Sequence, residues 1–459
     1  MQIHSREYPK RAREGGNVRA SVTGATLSFD ARRRAAFAGV AAEEWRVWAE
    51  GVKTHLLTHL DRYLEEAEAR LEANGAQVHW AGTQDDVHDI LSGIIERRGA
   101  RRAVKGKSML SEELEVNELL EKRGVDVLET DLGEYILQLL EQPPSHIVGP
   151  AIHLSLDEIR RLYHETHRTD LDATPDELAA VSRLILREAF LAADVGITGG
   201  NFLVAETGTV ALIENEGNIR LTTSAPPVHV ALVGIEKLLP RWSDLAVFLQ
   251  LTARAATGQP VGNYVSMIHG PRTADDPDGP EEVHVVLVDN GRTDVLADPE
   301  AWEALRCVRC GACLNACPVY RQTGGHAYGA VYSGPIGSVL NPGLAGLHAA
   351  MPLPFASSLC GACEEACPVR IPIPELLLSW RRRAAEAGMD SRAKAGLLKA
   401  WTAVATRPGL YRAAGAMLHA LPEPVRRVPL PVVGGWREVR EDPEPSRASF
   451  RELWREGIE

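Results

Sequence analysis

Seven cysteines lie between positions 307 and 367 of this 459-residue chain, and none lies elsewhere. Four of them form Cys307-x2-Cys310-x2-Cys313-x3-Cys317, followed at once by Pro318. A loop with thiolates three residues apart can wrap three corners of one iron–sulfur cube. The cysteine before the proline is turned away and, in two-cluster ferredoxins, ligates the other cluster. A zinc site would pair two separated two-cysteine hooks around one tetrahedral ion, and these thiols are too many and too crowded for that. An odd number in one stretch also argues against a disulfide framework. The chemistry to expect is single-electron transfer.

The motif recurs. CGACLNACPV (310–319) and CGACEEACPV (360–369) match at eight of ten positions, so the chain carries two arms 50 residues apart. Aligning them puts Cys310 on Cys360, Cys313 on Cys363 and Cys317 on Cys367; Cys307 then falls on Ser357. Crossing the ligands as two-cluster ferredoxins do assigns Cys307, Cys310, Cys313 and Cys367 to cluster 1, a natural [4Fe–4S] site. Cluster 2 takes Cys317, Cys360 and Cys363 and lacks a fourth thiolate. A [3Fe–4S] cluster, a [4Fe–4S] cluster with Ser357 or Ser358 oxygen at one iron, and a cube with an open iron all fit.

Other redox cofactors find no motif. No G-x-G-x-x-G follows a strand, so a nicotinamide or flavin site is not indicated. Gly106-Lys107-Ser108 imitates the end of a phosphate loop, but the earlier glycine it requires is Arg101. The C-x3-C-x2-C spacing of radical S-adenosylmethionine chemistry is missing as well. A second candidate site lies upstream, in Gly196-Ile197-Thr198-Gly199-Gly200-Asn201, Ala205–Thr209 and Glu214–Asn218. Glycine-rich turns at strand ends are where α/β sheets bind ligands, although glycines also simply make tight turns. Glu206 and Glu214 are its candidate acidic residues. His229, Glu236 and Lys237 read as ordinary surface or core polar residues, and His146 and His153 are left unassigned.

These residues need elements to hold them. Residues 1–30 read as loosely ordered until they dock, and Ala31 to Ala73 as helical, ended by Asn74-Gly75. Short strands then alternate with helices: strands at Gln77–Trp80, Arg102–Val104, Val125–Leu128 and His146–Val148, with helices opening at Thr83 and Ser111. Thr174-Pro175-Asp176-Glu177 is a helix start with N-cap, first-turn proline and capping glutamate. Strands follow at Phe202–Ala205, Thr209–Glu214, Asn218–Thr222, Val228–Val233 and Val283–Asp289, the last after a surface excursion at 271–282. Alternating strands and helices imply an α/β sheet covered by helices. The divisions expected are a helical region at 1–59, an α/β domain at 60–295, a mainly α two-cluster ferredoxin-like domain at 296–385 and a basic extension at 386–459. The extension holds a proline-rich tether, 421–433, and a docking element, SFRELWRE (449–456).

GITGGNFLVAETGTVALIENEGNIRL (196–221) and VHVALVGIEKLLP (228–240) resemble the LUD domain. With the two cysteine arms, YSGPIGSVLNP (332–342) and SFRELW (449–454), nearly the whole chain resembles the lactate-utilisation protein B family. The resemblance implies a sugar-isomerase/CoA-transferase-like α/β sheet and an electron-transfer role in oxidising L-lactate to pyruvate. It implies two [4Fe–4S] clusters on Cys307, Cys310, Cys313, Cys317, Cys360, Cys363 and Cys367. As partners it implies a cysteine-rich CCG-domain protein and a second LUD-domain protein.

Composition bounds the rest. Fifty Lys and Arg against 62 Asp and Glu give −12, which disfavours nucleic-acid binding. Residues 381–459 carry a net +5, read as solvated charge; the alternative is docking to an acidic partner or peripherally to an anionic membrane. No apolar run approaches the roughly 20 residues that span a bilayer, and no apolar core follows the basic start, so a cytoplasmic protein is expected. No catalytic residue is assigned. The rivals are a LUD domain that is itself a small-carboxylate-binding enzyme, a scaffold stapled by its clusters, and the electron subunit of another 2-hydroxy-acid dehydrogenase system.

Overall fold

Six parallel strands form the main sheet of the computed structural model, which describes residues 3–14, 16–389, 392–420 and 450–457. In chain order the strands are β1 (Gln77–Ala81), β2 (Arg102–Lys105), β3 (Asp126–Glu129), β4 (Val195–Gly199), β5 (Phe202–Val204), β6 (Thr209–Glu214), β7 (Val228–Gly234), β8 (Leu238–Leu239), β9 (Tyr264–Ile268) and β10 (Glu282–Val288). The main sheet has the order β1-β10-β7-β4-β2-β3. Every residue of β7 is buried, as near-continuous Val/Leu runs in a parallel sheet covered on both faces require. A smaller sheet, β8-β5-β6-β9, stands beside it, with β5 and β9 antiparallel to β6. This second sheet was not foreseen as a separate layer.

The helix starts read from the sequence at Thr83 and Thr174 are both capping boxes, and Gly99 closes the first helix in the left-handed conformation. Four expectations are corrected. Asn218–Thr222 is not a strand but the start of a helix, Asn218–Ser224. The Glu214 carboxylate accepts the N–H groups of Ile219 (2.7 Å) and Arg220 (2.8 Å), so an acid satisfies a helix N-terminus that β-branched residues alone would not suggest. His146–Val148 makes no strand, because the His146 ring takes the N–H groups of Val148 and Gly149 and tightens the segment into a turn. The helix expected from Ser111 begins after Ser108 and breaks at Glu115 (φ 54°) into Met109–Glu113 and Val116–Lys122. The stretch to Ala73 is three helices, Gly16–Phe37, Ala42–Thr58 and Leu60–Ala73.

The beginning of the chain does dock. Ser5 donates to the carbonyls of Ala349 and Met351, both at 2.7 Å, and Thr23 to the carbonyl of Arg321 at 3.0 Å. Residues 1–382 form one compact unit. Its largest core joins Phe202, Val204 and Phe248 to the buried cysteines, so sheet and cysteine segment share an interior. The second unit, 383–459, contains helices Arg392–Ala405, Pro408–Ala420 and Phe450–Glu456. The proline-rich stretch 421–433 lies outside the described residues. No helix among the described residues is long and apolar enough to cross a membrane.

Candidate metal centre

The two arms repeat in backbone as well as in sequence. Arg309 (φ 58°) and Leu359 (φ 54°) sit at equivalent left-handed positions, and Gly311 (φ 75°) and Gly361 (φ 81°) follow each cysteine as N-caps of short helices, Ala312–Ala316 and Ala362–Glu365. A non-glycine residue held left-handed costs on the order of 1–2 kcal/mol. Two such residues at one repeat position mean that the turn itself is what the sequence specifies. Backbone N–H groups point at sulfur both in the turn, Arg309 at Cys307 (3.4 Å), and just beyond the last cysteine of each arm, Tyr320 at Cys317 (3.5 Å) and Ile371 at Cys367 (3.4 Å). Such bonds favour the electron-rich thiolate and tune the potential of a bound cluster.

The thiols sort into two groups. Cys310 and Cys313 each feel the charge of Cys307 and Cys367, whereas Cys317 feels Cys360, and Cys363 feels both Cys317 and Cys360. Cys313 also senses Cys363, so the groups are neighbours. All seven are free, and only Cys360 is exposed. Burial pushes Cys363 up to about 12 and Cys367 up to about 11, and it raises Cys310 and Cys313 as well. Cys360 is instead lowered by the Ala362 N–H and the Ser358 hydroxyl. Buried thiols of this kind stay protonated until metal cations displace the protons.

Spacing speaks to which metal. Among the described residues, the one set of three metal-ligating side chains with all ligand atoms within 4.8 Å is Glu112, Glu129 and Glu134. The thiols are therefore spread wider than the edge of about 3.8 Å that a tetrahedral ZnS4 site with 2.3 Å bonds demands. The donor set, seven thiols on two repeated arms, fits iron–sulfur cubes. Ser357 is half-buried near Cys360; its hydroxyl oxygen accepts the Leu359 N–H (3.1 Å) and its carbonyl accepts Arg381 (3.0 Å).

Distant elements clamp the arms. Arg46, on Ala42–Thr58, donates to the carbonyls of Cys367 (2.9 Å) and Glu364 (3.1 Å). His146 bonds Asn315 (3.1 Å), and Tyr320 donates to the Ser145 carbonyl (2.6 Å). Between the sheet and the first arm lies a buried charge chain. Arg292 grips Glu113 with two bonds of 2.9 Å and reaches Glu236 at 2.7 Å, while Arg309 reaches Glu236 at 3.2 Å and lies over the Tyr332 ring. Burial opposes ionisation of Glu236, but Arg292 and Arg309 outweigh it and hold that carboxyl down at about 2. Gly234 is required here, since a Cβ would sit 2.3 Å from a Glu236 carboxylate oxygen.

The other residues singled out in the sequence scatter. Glu206 is exposed and caps a helix through the Trp242 N–H (2.7 Å). Glu214 lines a cavity but spends both oxygens on the cap described above. His229 is buried against Thr198 (2.8 Å) and His153 against Ser145 (2.8 Å); burial lowers both to about 4, as for neutral core histidines. Sequence reasoning missed Arg46, Glu113, Arg292, Arg309 and Tyr332, and read Lys237 as bland. One signal existed for Arg292, which follows an Asn290-Gly291 turn at the carboxyl end of a buried parallel strand, where α/β sheets bind ligands.

A LUD domain model matches residues 64–288, a 4Fe-4S dicluster domain model residues 303–371, and a model of the C-terminal part of lactate utilisation protein B residues 384–458. Lactate utilization protein B of Shouchella clausii is 44% identical over 420 residues, 90% of this chain and 88% of that one. An uncharacterized electron transport protein of Escherichia coli, YkgF, is 44% identical over 416 residues, 89% of this chain and 87% of its own length. Lactate utilization protein B of Bacillus subtilis is 40% identical over 466 residues, 98% and 96% of the two chains.

Proposed function

We propose a function from the premise that this chain belongs to the lactate utilisation protein B family: it is an iron–sulfur electron-transfer protein of lactate utilisation, acting in the oxidation of L-lactate to pyruvate. The observation that carries the reading is the sorting of seven thiols into a buried four-cysteine group and a three-cysteine group that reaches the surface at Cys360. Cys307, Cys310, Cys313 and Cys367 would hold cluster 1, and Cys317, Cys360 and Cys363 would hold cluster 2, with Ser357 in register with Cys307 and Ser358 bonded to Cys360. Bound clusters carry one electron each, which matches the two electrons released, with two protons, when lactate becomes pyruvate.

The residues around each group divide the work. Burial of the first group keeps water from its thiolates, while the Cys360 turn leaves the second group open to a docking protein. Six glutamates, Glu43, Glu50, Glu303, Glu364, Glu365 and Glu375, make the cleft beside that turn acidic, with Arg46, Arg306 and Arg370 offsetting half of the charge. The partners proposed are the cysteine-rich CCG-domain protein and the second LUD-domain protein. In an oxygen-free mixture of the three purified proteins, L-lactate should bleach the iron–sulfur absorption of this chain, and omission of either partner should prevent it. Bleaching of this chain alone would make it the dehydrogenase, and no bleaching in the full mixture would sink the reading.

A further inference from the structure

The main sheet reverses its strand order between β2 and β4: β3 lies beyond β2 on one side, while β7 and β10 follow β4 on the other. Crossovers diverge at such a point and leave a crevice at the carboxyl ends of the strands. Here it is a cavity of about 250 Å3. Lys107 and Ser108 enter it after β2, Asn201 after β4 and Lys237 after β7, and the first cysteine arm closes it with Arg309 and Cys310. The α/β domain and the metal centre thus share one cavity.

We propose that this cavity binds a small organic carboxylate, gripped by Arg309 and Lys237 beside the Cys310 ligand of cluster 1. Arg309 is buried with Nη2 on Glu236, yet its Nη1 has no hydrogen-bond partner. A buried guanidinium N–H without an acceptor carries an uncompensated desolvation cost, which a bound anion removes. Lys237 brings an ammonium to the same wall, and no ion pair or hydrogen bond among the described residues engages it. Glu236 is shared between Arg292 and Arg309, and Arg292 also takes Glu113, so the wall keeps a cationic surplus. Charge compensation of a bound cluster accounts for the sign of that surplus, but not for the space in front of it.

The opposite wall selects the kind of anion. Asp131, Glu214 and Glu216 line it together with Asn218 and Lys107; Lys107 pairs with Asp131 (3.3 Å), so three carboxylates stand against one cation and a multiply charged phosphate would face a net negative surface there. A carboxylate with a neutral hydroxyl or carbonyl at its far end meets cations at one end and hydrogen-bonding groups at the other. At about 250 Å3 the cavity lies at the small end of ligand pockets, a size that suits a small acid better than a dinucleotide or a coenzyme A thioester. The choice of 2-hydroxy and 2-oxo acids as probes rests on the proposed function.

The test is calorimetric titration of the full, cluster-loaded chain, without oxygen, with pyruvate, L-lactate and inorganic phosphate. One site per chain for at least one carboxylate is expected. Lys237→Met should weaken it roughly ten- to hundred-fold at unchanged iron content, while Lys237→Arg retains most of the affinity. Bound ligand should also perturb the EPR of cluster 1 and spare that of cluster 2. Absence of binding at millimolar carboxylate, phosphate binding as tight as carboxylate binding, or an unaltered affinity in Lys237→Met would each overturn the proposal. Iron content and reducibility are read in the same samples, so a failed ligand site is told apart from a failed electron carrier.

Discussion

Cys367→Ser should leave the chain with about half its iron, and the centre lost should be the buried one, although the substitution lies in the second arm. Cys367 senses Cys307 and belongs electrostatically with Cys310 and Cys313, and Arg46 fixes its backbone from a helix more than 300 residues upstream. Serine cannot replace it well, because an alkoxide forms far less readily than a thiolate. Cys317→Ser, in the first arm, should do the converse and remove the surface centre, since Cys317 feels Cys360 and itself acts on Cys363. Iron and sulfide per chain, with EPR of the reduced variants, decide the matter. If Cys367→Ser and Cys363→Ser silence the same signal, each arm binds its own cluster and the crossed assignment is wrong. Loss of a cluster is also loss of folding energy, so both variants should unfold at lower temperature than the parent.

The second large effect is on potential. Lys237 senses Cys307, and burial lowers its ammonium only to about 8, so it is charged at pH 7. A positive charge stabilises the reduced, more negative cluster. At an effective dielectric of about 20, a unit charge within about 5–10 Å of a cluster is worth on the order of 2 kcal/mol to the reduced state, which its removal forfeits. For a one-electron couple that is a fall of about 100 mV in Lys237→Met. Cluster 2 should move by less than a third as much, because Cys360 sits in water that screens the change. Redox titration of the ligand-free variant checks this. A rise in potential, or equal shifts at both centres, would show that the charge chain does not bear on cluster 1.

Much of this is legible in the sequence. Cysteine spacing and the ten-residue repeat hold the whole metal centre in local order, because each arm is a short turn whose residues must all be present in sequence. Strands β7 and β10 were readable for the same reason, as buried Val/Leu runs bounded by turn residues, whereas β4, with two glycines in five residues, reads as a turn. What failed was set by contacts far apart in the chain. The β-branched residues of 218–222 read as a strand, and only Glu214 capping Ile219 and Arg220 makes them a helix. The turn at 146–148 follows from one histidine ring folding back on its own backbone.

The cavity was half legible. Glycine-rich turns marked its β4 side, but Glu206, the acid favoured there, faces solvent on a helix cap. The groups that line the cationic wall come from three separated segments. Arg292, Arg309 and Lys237 each look like ordinary surface charge until the sheet and the first cysteine arm bring them around Glu236. No periodicity or motif encodes such a meeting; a buried carboxylate shared by two arginines is visible only in three dimensions.

The most direct test of the electron-carrier account is a reductive titration of the chain purified without oxygen, followed by EPR with iron and sulfide quantified. The account predicts two reversibly reducible centres whose signals interact, since Cys313 senses Cys363 across the two groups. It predicts about eight irons if the Ser357 corner of cluster 2 is filled by a non-thiolate ligand, and about seven if that corner is empty. Zinc without sulfide, or clusters that cannot be reduced and reoxidised, would contradict it.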